Sequence, residues 1–199
     1  MISAKQMFYN ICMAHIYIFR HGQTTDNKSH TFSGKRDVDL TPEGEQEAIK
    51  IGGELKDIIP TKAYDSGQLR SKHTLALVLQ GKYPNLPIIQ DPRIRERDYG
   101  DLTGLNKDKT ALKYPKEYPL WHRSYDVAPP NGESIKDVEK RVMEFLQEEM
   151  SKWQKNDVIF ISAHGNSIRP MRKYFEHLSN EEMCSYEYAP GEIFKYQTT

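Results

Sequence analysis

Cysteine is scarce in this sequence: Cys12 and Cys184 are the two present in 199 residues. They form no Cys-x-x-Cys pair and stand near no metal-ligand pattern, so they read as two reduced thiols of a cytoplasmic protein. Long apolar runs are missing too, and no stretch approaches the length of a membrane span. Met7 to Ala14 is mildly apolar, but Asn10 interrupts it and only Lys5 precedes it, which makes a poor secretory signal. Nor does charge of one sign dominate, because 28 Lys and Arg balance 28 Asp and Glu. A balanced chain has no global field to draw it to nucleic acid or an anionic membrane, so neither is expected as a partner. Any anion it binds must be caught by a local cluster of cations. Internal repeats and low-complexity tracts are absent as well.

What is present suits one folded domain. The length is enough for a single core, and the apolar residues fall in periodic segments. His15 to Phe19 reads as a buried strand, rich in β-branched and aromatic residues. Met13, just before it, would serve as a start, so residues 1–12 are read as an N-terminal extension and 13–199 as the domain. Arg20 to Leu40 reads as loop. Thr41-Pro42-Glu43 is a helix start, with Thr41 as cap and Pro42 in the first turn, and the helix is expected to run to about Ile59. Short strands are expected at Lys62–Asp65 and Ile88–Ile89, with a helix over Leu69–Leu79 between them.

Residues 91–133 carry Pro92, Pro115, Pro119, Pro129 and Pro130. They read as loop with one helix near Asn106–Tyr114, and a stretch of that kind serves as a lid or binding wall. Ser134 to Trp153 is the clearest helix, with Ile135, Val138, Val142, Phe145 and Leu146 on one stripe. A buried strand over Asp157–Ile161, a helix through about His177 and a last strand over Glu192–Tyr196 complete the pattern. Strands alternating with helices give an α/β fold, a mainly parallel central sheet with helices on both faces.

Two strand ends carry the chemical signal. The first strand runs into Arg20-His21-Gly22, and the Val158–Ile161 strand runs into His164-Gly165-Asn166. If the two strands are parallel neighbours, both histidines emerge at one sheet edge, where open α/β sheets place their sites. Each is followed by a glycine that lets backbone approach a ligand. A metal site would need further ligands, and none stands at ligand spacing. Phosphoryl transfer fits better. A neutral imidazole attacks phosphorus, and neighbouring cations keep it neutral and offset charge on the transferring oxygens. Arg20 offers a planar fork suited to phosphate. Arg70, in the first turn of its helix, is a third cation or an equally ordinary solvated arginine. Glu96, among Arg93, Arg95 and Arg97, is a candidate proton donor in a run that otherwise reads as an exposed face. Arg169, Arg172 and Lys173 read as a solvated helix face.

These residues resemble the histidine phosphatase superfamily, whose Arg-His-Gly motif is matched by Phe19-Arg20-His21-Gly22-Gln23-Thr24-Thr25-Asp26-Asn27. Phe32 to Thr41, Arg95 to Lys107, Trp121 to Val127, Gly132-Glu133-Ser134 and Ala163 to Arg169 are similar to the 2,3-bisphosphoglycerate-dependent phosphoglycerate mutases. The likeness runs from about His15 to Tyr196. It implies His21 as the phosphohistidine, Glu96 as proton donor and acceptor, and His164 stabilising the transferring group beside Arg20 and Arg70. It implies that Asn27, Ser33, Gly34, Arg97, Tyr99, Lys107, Arg123, Gly165 and Asn166 line a substrate pocket. It further implies interconversion of 3- and 2-phosphoglycerate in glycolysis and gluconeogenesis, with 2,3-bisphosphoglycerate as primer and no metal. Small phosphoglycerates are then the partners, and a homo-oligomer is left open.

Two positions depart from the motif. His122 stands where it usually has a second arginine, and is counted with the pocket as a proton-dependent positive charge. Asp98 stands where it usually has histidine, unfavourable near an anion if it points inward. The rival function is a phosphatase using the same His21 on small phosphate monoesters. A phosphatase admits water to the phosphohistidine, whereas a mutase excludes it and holds a second anionic end. Lys107, Arg97 and Arg123 favour the mutase. A non-catalytic phosphate-binding module would not need His21, His164 and Glu96 together.

Overall fold

The structure is a computed structural model and describes residues 13–198; the extension expected over 1–12, with Cys12, lies outside the described residues. The sheet contains β1 (His15–Arg20), β2 (Lys62–Asp65), β3 (Ile88–Gln90), β4 (Val158–Ala163) and β5 (Ile193–Gln197). Their spatial order is β3-β2-β4-β1-β5. The first four are mutually parallel and β5 runs antiparallel to β1 at one edge. Among the described residues no helix is long and apolar enough to cross a membrane.

Strand alternation divides the core into two layers. Ile16, Ile18, Ile159 and Ile161 point to one face, where they meet α6 (Ile135–Met150) and α7 (Gly165–Glu176) through Val138, Val142, Phe145, Ile168 and Met171. Phe19, Ala63 and Phe160 point to the other, against α2 (Pro42–Glu54) and α3 (Leu69–Leu79) through Ile51, Leu55, Leu75 and Val78. The apolar stripe of α6 is buried throughout. Each such side chain contributes about 1.5–3 kcal/mol relative to exposure. Ser134 caps α6 in a reciprocal pair with Asp137, which fixes where the helix begins.

Several boundaries differ from expectation. α2 stops at Glu54 rather than near Ile59. Its last turn holds Gly52 and Gly53, which hold helix poorly. Gly52 has a second role, since a Cβ there would sit 2.7 Å from the Val78 carbonyl oxygen of α3. The 20–40 loop includes a single turn, α1 (Thr25–Lys28), capped by Thr24. The wall over 91–133 contains the expected helix, α4 (Lys107–Lys113), and also α5 (Tyr118–Arg123). Pro119 falls in the first turn of α5, where no N–H is required. Another short helix, α8 (Asn180–Ser185), is capped by Ser179 with Glu182.

Candidate active site

Parallel pairing of β1 with β4 sets Arg20 opposite Ala163. The next residues, His21 and His164, therefore leave the same sheet edge side by side, with ring centroids 5.0 Å apart. The His21 N–H donates to the Ala163 carbonyl at 3.0 Å. Beneath the loop, Gly22 and Gly44 bring two backbones together: a Cβ on Gly22 would lie 2.1 Å from the Gly44 oxygen. Here the glycine after His21 admits the start of α2, not a ligand, which corrects the expected reason for it.

His21 is buried, and its Nδ1 lies 2.8 Å from the Gly22 carbonyl oxygen. A carbonyl only accepts, so Nδ1 carries the hydrogen and the lone pair sits on Nε2. Burial, then Arg70 and Arg20, hold the imidazole well below its ordinary pKa. It is therefore neutral at physiological pH, with the Nε2 lone pair available for attack. His164 is fully buried, with Nε2 2.7 Å from Ser66 Oγ and Nδ1 without a partner among the described residues. Burial and the same two arginines lower its pKa as well. Ser167 Oγ accepts from the His164 N–H at 3.1 Å and anchors this turn at the start of α7.

Arg70 is fully buried, so the solvated alternative falls. Its Nη1 and Nη2 donate to the carbonyls of Arg36 and Gly34 at 2.8 and 3.1 Å. The Nε atoms of Arg70 and Arg20 are both buried without partners among the described residues. Glu96 Oε1 accepts from Arg97 N at 2.7 Å and from Asn166 Nδ2 and N at 3.0 and 3.3 Å. All three donors use one oxygen, leaving Oε2 without a donor among the described residues. Gln68, unmarked by the sequence, links the wall to the centre: its Oε1 accepts from Glu96 N and its Nε2 donates to Gly34 O.

These groups border a cavity of about 120 Å³. Arg20, His21, Arg70 and Glu96 line it, together with Asn27, Ser33, Gly34 and Tyr99. So do Lys107, His122, Arg123, Gly165 and Asn166. Asn166 Nδ2 donates to the Tyr99 hydroxyl at 2.9 Å as well as to Glu96. His164 stands behind His21 rather than in the lining.

Three expectations need correction. Arg97 does not line the cavity. It is fully buried and donates to the carbonyls of Glu133, Val127 and His122, so it holds the wall together from behind. His122 is no proton-dependent cation near neutral pH. Burial, then Arg123, Lys107 and Arg169, push it down to about 3, and its ring stacks on Tyr118. Arg169 and Arg172 are not a solvated face. Arg172 is buried against the Tyr186 ring and paired with Glu176, while Lys173 pairs with Glu139. Asp98 points away from the cavity, with Oδ2 2.5 Å from Lys35 Nζ and Oδ1 accepting from Gly100 N.

Four lining residues were not anticipated: Thr31, Arg169, Glu187 and Tyr188. Arg169 had a legible signal, since it lies three residues after Asn166 on the same helix face. Glu187 and Tyr188 lie between α8 and β5 and carry no local pattern.

The cavity's cations overlap along its length. Arg20 and Arg70 act on His21 and His164, Arg123, Lys107 and Arg169 act on His122, and Lys107 is itself coupled to Arg20 and Glu96. One set lies around His21 (the inner end), the other around His122 at the wall (the outer end), and Lys107 links them.

Comparison with known proteins gives the chain's relatives. A family model described as histidine phosphatase superfamily (branch 1) matches residues 16–199. The 2,3-bisphosphoglycerate-dependent phosphoglycerate mutase of Afipia carboxidovorans is 40% identical over 181 residues, covering 88% of this chain and 87% of that protein. That of Bartonella bacilliformis is 38% identical over 190 residues, covering 92% and 91%. Among solved structures, YhfR of Bacillus stearothermophilus superposes with a TM-score of 0.83 at 27% identity, covering 92% and 90%. A mycobacterial glucosyl-3-phosphoglycerate phosphatase gives 0.79 at 22%, covering 93% and 90%, and shares the fold. The chain belongs to the histidine phosphatase superfamily, in the family of the 2,3-bisphosphoglycerate-dependent phosphoglycerate mutases.

Proposed function

We propose that the protein interconverts 3-phosphoglycerate and 2-phosphoglycerate through a phosphohistidine on His21, in the cytoplasm, as a step of glycolysis and gluconeogenesis. One observation carries the reading: a neutral histidine flanked by Arg20 and Arg70 faces a cavity lined by three further cations, Lys107, Arg123 and Arg169. Simple hydrolysis needs only the inner set. A substrate with an anionic group at each end uses both.

The inner residues supply the chemistry. His21 Nε2 attacks phosphorus along the line opposite the departing oxygen. The unpartnered Nε–H groups of Arg20 and Arg70 are donors for the equatorial oxygens as charge spreads over them. With Ser66 donating to His164 Nε2, the neutral imidazole keeps its hydrogen on Nδ1 and, packed beside His21 rather than in the cavity lining, supports the ring that attacks. Glu96 gives its proton to the departing oxygen and takes one back from the accepting hydroxyl, through the oxygen that Arg97 and Asn166 leave open. The same donors fit one phosphoryl group of 2,3-bisphosphoglycerate, with Lys107 and Arg123 for the other, so that compound is the expected primer of His21. No metal is assigned a role.

The test is conversion of 3- to 2-phosphoglycerate with trace bisphosphoglycerate, following inorganic phosphate in parallel. Isomer should form, and the His21→Ala variant should form none. Rapid phosphate release without isomer would replace the mutase reading with the phosphatase.

A further inference from the structure

The outer end of the cavity already contains a carboxylate. Arg123 Nη2 lies 2.5 Å from Glu187 Oε1, while Arg123 Nη1 donates to the His122 carbonyl at 3.3 Å. The Glu187 side chain is 73% exposed and that of Arg123 30%. Glu187 forms no other hydrogen bond among the described residues. Its neighbours are anchored, however. Tyr186 lies against Arg172 and donates to Glu192, whose second oxygen accepts from Ala189 N at 3.1 Å. Tyr188 stacks edge-on to Phe194 and lies over Arg169. An anchored backbone thus presents one largely exposed carboxylate to one guanidinium fork. That contact is the one a carboxylate or phosphate at the far end of a substrate would make. Among the described residues Arg123 uses two of its five N–H donors, so an anionic end arriving at this fork competes with Glu187 for it.

We propose that Glu187 is a specificity-determining residue that competes for Arg123 with the anionic far end of the substrate. This rests on the reading that the substrate is a phosphoester with such an end. Displacement is easy because the Glu187 side chain is already largely in water and its charge can be solvated there. A ligand with an anionic tail exchanges one ion pair for another and gains less than it would from an unpaired arginine. A ligand with an uncharged tail leaves the Glu187–Arg123 pair intact. The residue therefore reduces discrimination in favour of anionic tails, most strongly for a tail that is itself a phosphate, while leaving the chemistry at His21 unchanged.

Two phosphoesters differing in the tail make the test: 3-phosphoglycerate, and glycerol 3-phosphate, in which a hydroxymethyl group replaces the carboxylate. Each is titrated calorimetrically into the full chain carrying His21→Gln, with and without Glu187→Gln. Loss of Glu187 should raise the affinity ratio of 3-phosphoglycerate to glycerol 3-phosphate about threefold, the scale of one exposed ion pair. The gain should vanish when Arg123→Gln is also present. Equal tightening of both esters, no tightening, or a gain that persists without Arg123 would overturn the proposal. Selective tightening together with a failed isomerisation assay would keep Glu187 in this role and remove the mutase reading. Failure of both esters to bind would overturn both.

Discussion

Acid should destabilise this fold through its neutral histidines, and the size of the effect follows from three of them. His21 and His164 are held well below their ordinary pKa of 6.5, and His122 is held at about 3. All three stay neutral in the folded chain while their unfolded counterparts take up protons as the pH drops through 6.5. The folded-state value lies below the unfolded one, so the stability is complete above that pH and is lost on acidification. At pH 5.5 an unfolded imidazole is about nine-tenths protonated, and each neutral native histidine then costs about 1.4 kcal/mol. Three give about 4 kcal/mol, a large share of a typical total of about 5–15 kcal/mol. Urea unfolding at pH 7.5 and 5.5, followed by tryptophan fluorescence with buried Trp153 as reporter, measures the loss. The His122→Asn variant should lose about 1.4 kcal/mol less than the parent chain over that window. An identical loss in variant and parent would mean that His122 is protonated in the fold, and would refute the neutral outer end.

Two further substitutions probe the centre and its support. Arg20→Ala should lower kcat/KM about 100-fold, near 3 kcal/mol, by analogy with one lost oxyanion donor; a near-unchanged value from initial rates would contradict its role. Gly44→Ala places a Cβ 2.1 Å from the Gln23 carbonyl oxygen. It should cost about 1–3 kcal/mol, read as a lower Tm, and should reduce kcat by moving the loop that carries His21; an unaltered Tm would show that the two backbones can separate freely.

Where one residue's neighbours in sequence are also its neighbours in space, the sequence was enough. Leu69–Leu79 and Lys62–Asp65 matched to the residue, because helix and strand periods are local. The pairing of His21 with His164 followed from two strands of the same kind ending in similar triplets. Arg97 shows the opposite case. Its motif matched a pocket residue, yet its guanidinium meets three carbonyls from residues 25 to 36 positions away. No local pattern announces such contacts. His122 was legible as an imidazole, but its protonation depends first on burial and then on Arg123, Lys107 and Arg169, contributed by three separate elements. Glu187 was invisible for the same reason, since it matters only through an arginine 64 residues earlier.

The electrostatic difference between the two ends of the cavity bears on the fate of the phosphoryl group. At the inner end Arg70 is tied to backbone carbonyls and cannot swing away, and Glu96 is the neighbouring carboxylate. At the outer end a neutral imidazole stands where a second arginine would, and Glu187 offsets Arg123. A mutase must hold a bisphosphorylated intermediate while its ends exchange, so each end must accept a phosphoryl group in turn. Weakening the outer hold shortens the residence of that intermediate without touching the transfer step. While that intermediate is bound His21 has given up its phosphoryl group, so each early departure leaves His21 bare and in need of primer again. On the proposed mutase reading, the outer charge sets primer demand and the inner charge sets rate. Changes at Glu187 and His122 should therefore appear in the dependence on bisphosphoglycerate concentration, whereas changes at Arg20 should appear at saturating primer.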